Sequence, residues 1–367
     1  MSLIRENEII QMQRSFSLFE NANNSEATMN LYKKGLTNYM KFVGYHNRYD
    51  DYVKLDSEEI HRHLEDYVMF HSNRKIKGIT IRCYLKSVYL FLDVNRKQYF
   101  PKSINRQIPK DKIKKGNSKP FTDEDIQNML DYTNSSRNKA LILFFSSVEG
   151  RPAVLTDPIL CFKHLHPMPF DCKAVLMYAT SDEEYWGFLT PEASKALEIY
   201  RDERIRKGEV ITLESPLFVI QKRNRFKDES YLSMPALYSI FLTLEKKDPI
   251  EKIKTGNRYD KALMYGFRKR FNTIMKIDSE INSNIAEKLM AHKNGLDGVY
   301  FTPTRDECFV EFPKAIPQLT VSKAEKLSLK LEKLESNKDE KIKKLESEMK
   351  GVYKLLERIS SNSSSVS

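Results

Sequence analysis

The 367-residue sequence predicts a mainly α-helical chain of the α+β class. It has a small N-terminal helical domain, a larger C-terminal domain of helices with one small β-hairpin, and a coiled-coil-like C-terminal helix. Three observations carry this reading. Apolar residues recur every three or four positions through most of the chain. Two short apolar runs, 174–179 and 187–190, flank a polar turn and read as paired strands. From Leu327 onward the apolar spacing alternates threes and fours, as in a heptad seam. The length exceeds one small module. Hydrophobic residues make up 40% of the chain and aromatics 11%, enough to bury real cores rather than stay unfolded.

Residues 1–24 end in a polar stretch with Asn21, Asn23 and Asn24 and read as an arm or short helix. Residues 25–99 read as a helical domain. In it Tyr32, Leu36, Tyr39 and Val43 mark one helix. Ile60, Leu64 and Tyr67 mark a second, capped by Ser57. Ile81, Leu85, Val88 and Leu92 mark a third, opened by Thr80. Residues 100–120 change character. From Lys102 to Lys119 there are seven basic residues and one acidic residue, broken by prolines and a glycine. The stretch reads as a basic linker.

The second domain spans 121–319. Thr122 and Asp125 stand in a capping-box spacing before a helix over 123–132. An apolar helix begins at Asn138, with Leu141, Leu143 and Phe145. After the hairpin, Pro191 starts a helix that Gly208 follows. In the tail, 320–361, the seam runs through Leu327, Leu331 and Leu334, then Ile342, Leu345, Met349, Val352, Leu356 and Ile359. One extra step of four falls around Lys338, a stutter that unwinds a supercoil locally. Both a coiled coil with another molecule and a helix packed on its own domain fit this pattern. Residues 362–367 read as a disordered tail.

The chain carries 61 basic against 50 acidic residues, a net charge of +11. Such an excess favours a polyanion, because neutralised phosphates release condensed counterions. Candidate phosphate contacts are Lys110, Lys112, Lys114, Lys115 and Lys119 in the linker, and Lys86 in the helical domain. The four cysteines, Cys83, Cys161, Cys172 and Cys308, form no Cys-x-x-Cys pair, which excludes a disulfide framework and the common zinc sites. With no signal peptide and no run long enough to span a bilayer, the expectation is an intracellular protein without a membrane partner.

Three segments of the second domain carry candidate chemistry: Glu149-Gly150-Arg151-Pro152, Tyr265 through Thr273, and Leu289 through His292 with Tyr300 eight residues on. Singly they are weak signals, since a lone histidine is usually structural and Tyr300 is one of nineteen tyrosines. Drawn as a helix, the middle segment puts Phe267, Phe271 and Ile274 on a buried stripe. Tyr265, Arg268 and Asn272 share another face. A guanidinium held on a rigid helix suits bidentate binding of phosphate oxygens, and Arg151 supplies a second fork.

In order, spacing and flanking residues, the chain from about 25 to 318 resembles the tyrosine recombinases, especially the archaeal-type phage integrases. That family has a Gly-x-Arg, a β-hairpin lysine, a His-x-x-Arg helix, a Gly-His box, and a tyrosine eight to ten residues later. Gly150 with Arg151, lacking the residue between them, stands for the first of these, and Gly266-Phe-Arg268, Ala291-His292 and Tyr300 match the third, fourth and fifth. The resemblance implies a core-binding (SAM-like) domain that clamps DNA, followed by a tyrosine-recombinase catalytic domain. It implies attack of the Tyr300 hydroxyl on a DNA phosphodiester, giving a covalent 3′-phosphotyrosine and a free 5′-hydroxyl. Bond energy is kept in that link, so no ATP is needed. Arg151 and Arg268 stabilise the transition-state charge, His292 donates a hydrogen bond to the phosphate or assists the tyrosine proton, and Tyr265 donates a hydrogen bond. No metal or cofactor is implied. The partners implied are double-stranded DNA and further copies of the chain, a tetramer on two duplexes, in a virus or mobile element acting at a host nucleoid.

Four departures bear on chemistry. Tyr265 replaces the usual histidine. Val154 stands where the family often has an acid. Ala291 replaces the box glycine. The hairpin turn carries Asp182, Glu183 and Glu184 and no lysine, while Lys173 lies at the far end of its strand. The second reading is therefore a DNA-binding protein on the same scaffold that has lost cleavage. A helical architectural protein built around its tail is a third.

Overall fold

The structure is a computed structural model and describes residues 13–22, 26–111, 119–220, 231–247, 253–255, 258–261, 263–292 and 300–363. The chain divides into two compact units, Met1–Lys115 and Gly116–Ser367. Among the described residues no helix is long and apolar enough to cross a membrane.

The first unit is helical. It contains α1 (Arg14–Glu20), α2 (Glu26–Phe42), α3 (Tyr49–Tyr52), α4 (Ser57–Asn73), α5 (Gly78–Val94) and α6 (Pro101–Gln107). Its core takes Leu36 and Tyr39 from α2, Ile60 and Leu64 from α4, and Ile81, Leu85, Val88 and Leu92 from α5, while Tyr32 and Val43 are half-buried at its edge. Phe16 and Phe19 anchor α1 in the same core, so this part of the arm is an integral helix.

Two predicted caps move. Asp56, not Ser57, caps α4, accepting a hydrogen bond from Glu59 N at 2.8 Å. Helix α5 begins at Gly78 rather than Thr80. Its first N–H groups are satisfied by Asp111, whose carboxylate accepts from Gly78 N at 2.9 Å and Ile79 N at 2.7 Å. A helix N-terminus needs such acceptors, and a residue 33 positions away supplies them here.

The expected linker also starts too early. Pro101 opens α6 instead of breaking structure, as a proline at the first helical position does without loss. Ile104 and Ile108 then bury themselves in the first unit's core. The lone acid of the basic stretch, Asp111, pins this end to α5.

In the second unit, α7 (Asp123–Asp131) starts at the predicted capping box of Thr122 and Asp125. Helix α8 (Ser136–Ser147), buried from Ala140 to Ser147, follows. Three antiparallel strands come next: β1 (Leu165–Pro167), β2 (Lys173–Met177) and β3 (Tyr185–Leu189), in the order β1-β2-β3. The sequence predicts only β2 and β3, because β1 is three residues long with no alternation to read. Strand β2 stops at Met177, where Tyr178 and Thr180 take left-handed φ values of 52° and 67°.

The sheet lies between two clusters, as the period of two along a strand requires. Val175, Met177 and Leu189 join the larger cluster with α8 and α9 (Pro191–Arg206). Ala174 and Phe188 join a second one. That second cluster holds α11 (Tyr265–Ile277), α12 (Ser283–Leu289) and α13 (Arg305–Leu319). Between α9 and α11 come α10 (Met234–Lys247) and the short pair β4 (Lys254–Thr255) and β5 (Arg258–Tyr259). The chain ends in α14 (Lys323–Ser363), a single 41-residue helix that continues past 361 into the expected disordered tail.

Helix α11 bridges both clusters. Phe267 packs into the first, with Phe121, Phe145 and Phe241, and Phe271 and Met275 pack into the second. Gly266 brings the ring of Phe121 against the helix, for a Cβ there would lie 2.5 Å from it. The Phe121 N–H also donates to Gly266 O at 3.1 Å. These contacts fix the rotation of the helix, and with it the side of the fold on which Arg268 emerges.

Candidate active site

Arg268 lies on α11 with its side chain 17% exposed. Its Nε stands 2.7 Å from Oε1 of Glu149, which is fully buried at the end of the run that follows α8. The pair has ion-pair distance without hydrogen-bond alignment, and neither Glu149 oxygen accepts a hydrogen bond. Burial pushes the Glu149 carboxyl up to about 8, against the pull of Arg268 and then of Arg151. An ionised carboxylate is costly in such a place, so burial favours the neutral acid while Arg268 favours the ionised one.

His292 is the next member. Its Nε2 lies 3.2 Å from Nη2 of Arg268 and 3.8 Å from Glu149 Oε1. Its Nδ1 lies 2.6 Å from Oε2 of Glu287. A neutral imidazole protonated at Nδ1 satisfies both neighbours, donating to Glu287 and accepting from Arg268. Glu287 also pairs with Lys276 of α11. Burial works to raise the Glu287 carboxyl, but hydrogen bonds from Lys276 and His292 outweigh it and hold it below the ordinary range. The result is one polar chain: Lys276, Glu287, His292, Arg268, Glu149.

Arg151 follows Gly150 directly and reaches the hairpin turn, where Nη1 donates to Glu183 Oε2 at 3.0 Å. Arg151 and Arg268 both act electrostatically on Glu149, Tyr178 and Tyr185. The two guanidinium groups therefore both lie near these three side chains. The Tyr185 hydroxyl donates to Glu149 O at 3.3 Å.

The remaining predicted residues are placed differently. Tyr265 is exposed on the first turn of α11. Tyr300 is 82% exposed and its hydroxyl has no hydrogen bond among the described residues. The intervening residues 293–299 lie outside the described residues. Lys173 pairs with Leu189 at the strand end away from the turn and gives its ammonium to Glu198 at 2.8 Å. Ala291 takes φ 51°, a conformation that favours glycine, which gives the glycine of a Gly-His box a backbone reason.

Among the candidate phosphate contacts, Lys86 and Lys110 are exposed, and Lys112, Lys114 and Lys115 lie outside the described residues. Lys119 is tied to Asp260, through Nζ at 3.1 Å and its N–H at 2.6 Å. Among the described residues no group of three His, Cys, Asp or Glu side chains is placed to hold a metal ion.

Sequence reasoning missed the roles of Glu149, Glu287, Lys276 and Tyr185. Only Glu149 carried a signal, an acid ending an otherwise apolar run beside Arg151.

This architecture is the tyrosine-recombinase fold, a mostly helical body around a small three-stranded antiparallel sheet. It is similar to XerH site-specific recombinase bound to palindromic difH substrate in a post-cleavage complex, with a TM-score of 0.50 and 14% identity over 76% of this chain and 77% of that one. It is equally similar to the pre-cleavage complex of XerH with difH substrate, with a TM-score of 0.50 and 14% identity over 77% and 79%. No protein-family model and no curated protein matches the sequence.

Proposed function

We propose that the protein is a site-specific DNA recombinase or integrase of the archaeal-type phage-integrase kind, with Tyr300 as its nucleophile. One observation carries the reading: Arg151 and Arg268, 117 residues apart in sequence, both act on Glu149, with Arg268 beside His292, on a fold shared with a recombinase. The scissile phosphate binds at these two arginines. The Tyr300 oxygen attacks phosphorus as its proton passes to water, and the 5′-oxygen leaves and takes a proton from water, so the strand is held as a 3′-phosphotyrosine. The two guanidinium groups hold the charge that builds on the non-bridging oxygens. His292 Nε2 takes a hydrogen bond in the resting state and is positioned by Glu287 toward the same phosphate. Tyr265 offers a hydroxyl donor from the exposed turn of α11. Double-stranded DNA is the partner, and a tetramer on two duplexes is the working assembly.

The test uses a pool of duplexes with random sequence, each nicked so that the cleaved end diffuses away. A covalent adduct that survives detergent, and is lost in Tyr300→Phe while DNA binding persists, supports the reading. Undiminished binding with no adduct sinks it.

A second reading has its own observation. The turn that would supply a lysine instead supplies Glu183 to Arg151, and Lys173 is engaged by Glu198. A proton donor for the 5′-oxygen is typically worth about 10²–10⁴-fold. A scaffold without one would bind DNA and cut it slowly or not at all.

A further inference from the structure

We propose that α14 pairs with α14 of a second copy of this chain as a parallel, in-register coiled coil, forming a dimer without DNA. The inference does not depend on the recombinase reading.

The first turns of α14 are fastened to their own unit. Lys326 pairs with Asp123, Glu325 lies 3.6 Å from Lys195, and Leu329 packs on the second cluster. Beyond Leu331 that attachment ends, and every described side chain from Leu331 to Val352 is exposed. Leu327, Leu331, Leu334, Ile342, Leu345, Met349 and Val352 are between 42 and 65% exposed. They share one stripe about 38 Å long at 1.5 Å per residue. A helix of this length without a packed face draws little stability from propensity alone. It needs a partner of matching shape and period.

The register identifies that partner. The steps between seam positions, counting Lys338, are four, three, four, four, three, four and three. Leu331, Lys338, Ile342 and Met349 then occupy a positions, and Leu327, Leu334, Leu345 and Val352 occupy d positions. The flanking charges are placed for self-association. Lys330 and Lys341 precede a residues at g, and Glu335 and Glu346 follow d residues at e. In a parallel, in-register pair each g residue faces the e residue five positions on in the other helix. Lys330 then meets Glu335 of the partner subunit, and Lys341 meets Glu346 of the partner subunit. An antiparallel pair would set g against g and e against e, leaving Glu335 and Glu346 without a lysine opposite, with Glu348 the one acid among the described g residues that could face a lysine. None of these four residues has an ion pair within the chain among the described residues. A lysine at a single a position, here Lys338, selects register and oligomer state.

Sedimentation equilibrium of the full chain without DNA tests this. The expected mass is twice the 43.0 kDa of one chain. Ile342→Asp with Leu345→Asp gives monomers whose catalytic unit unfolds at an unchanged temperature. Lys341→Glu weakens the dimer about tenfold by setting like charges face to face. Adding Glu346→Lys to it restores the dimer, an outcome only the parallel register predicts. Monomers throughout the concentration range would overturn the proposal. So would trimers, a dimer indifferent to the Ile342 and Leu345 substitutions, or a dimer unweakened by Lys341→Glu.

Discussion

The Nε of Arg268 stands 2.7 Å from a carboxylate oxygen of Glu149 that is closed off from solvent. Glu149 is two residues from Arg151, so one short segment presents a cation to the site and a buried acid beneath it. Where the family resemblance places an acid three residues after the arginine, this chain has the buried Val154. The acid stands on the other side of the arginine instead.

Arg268→Lys should keep the charge and lose the fork. Lysine cannot span Glu149, His292 and a phosphate together. The initial rate of covalent adduct formation should fall about 10²–10³-fold, with circular dichroism unchanged.

Glu149→Gln tests the buried acid. A carboxyl raised to about 8 in the fold binds more protons than the unfolded chain between its ordinary value and 8. Its contribution to stability is therefore greatest in acid, declines as pH rises through that window, and is flat above it. The glutamine variant lacks the decline. It should exceed the parent in denaturant stability at pH 8 and above, by at most about 5 kcal/mol, and differ little at pH 4. Its adduct yield should also persist at pH 9, where an ionised Glu149 would compete for Arg268. Parallel pH profiles for the two proteins would refute this.

Glu183→Gln removes the carboxylate that occupies Arg151. The pair is largely exposed, so unfolding free energy should move by less than about 1 kcal/mol. Adduct formation at low DNA concentration should rise. A fall would show that Glu183 positions Arg151 rather than occupying it.

Ala291→Gly restores the residue that a φ of 51° favours. The left-handed penalty of a Cβ is relieved, and the greater freedom of glycine in the unfolded chain offsets part of it. The net gain should be up to about 1 kcal/mol, read from thermal unfolding.

The placement of the candidate residues was legible where a local pattern fixes it. Arg268 sits on a helix whose apolar stripe is plain in the sequence, and α11 does bury Phe267 and Phe271 as that stripe requires. The capping box of Thr122 and Asp125 is a four-residue motif and forms as written. What escaped depends on groups that only folding brings together. Nothing in the sequence around Gly78 says that Asp111 will satisfy its helix start. Glu287 and Lys276 become partners of His292 only once α12 packs on α11. Lys119 reads as a free cation, yet Asp260 holds it.

The contact between Arg151 and Glu183 also has a thermodynamic consequence. A phosphate that reaches Arg151 finds an anion already there, so its arrival is an ion exchange. The protein carries that counterion within itself, and none is released to the solvent at this position. If Arg151 binds the phosphate as proposed, it should then add nothing to the salt dependence of DNA binding. In Glu183→Gln the slope of log K against log salt should steepen by about one, because the released ion would come from solution.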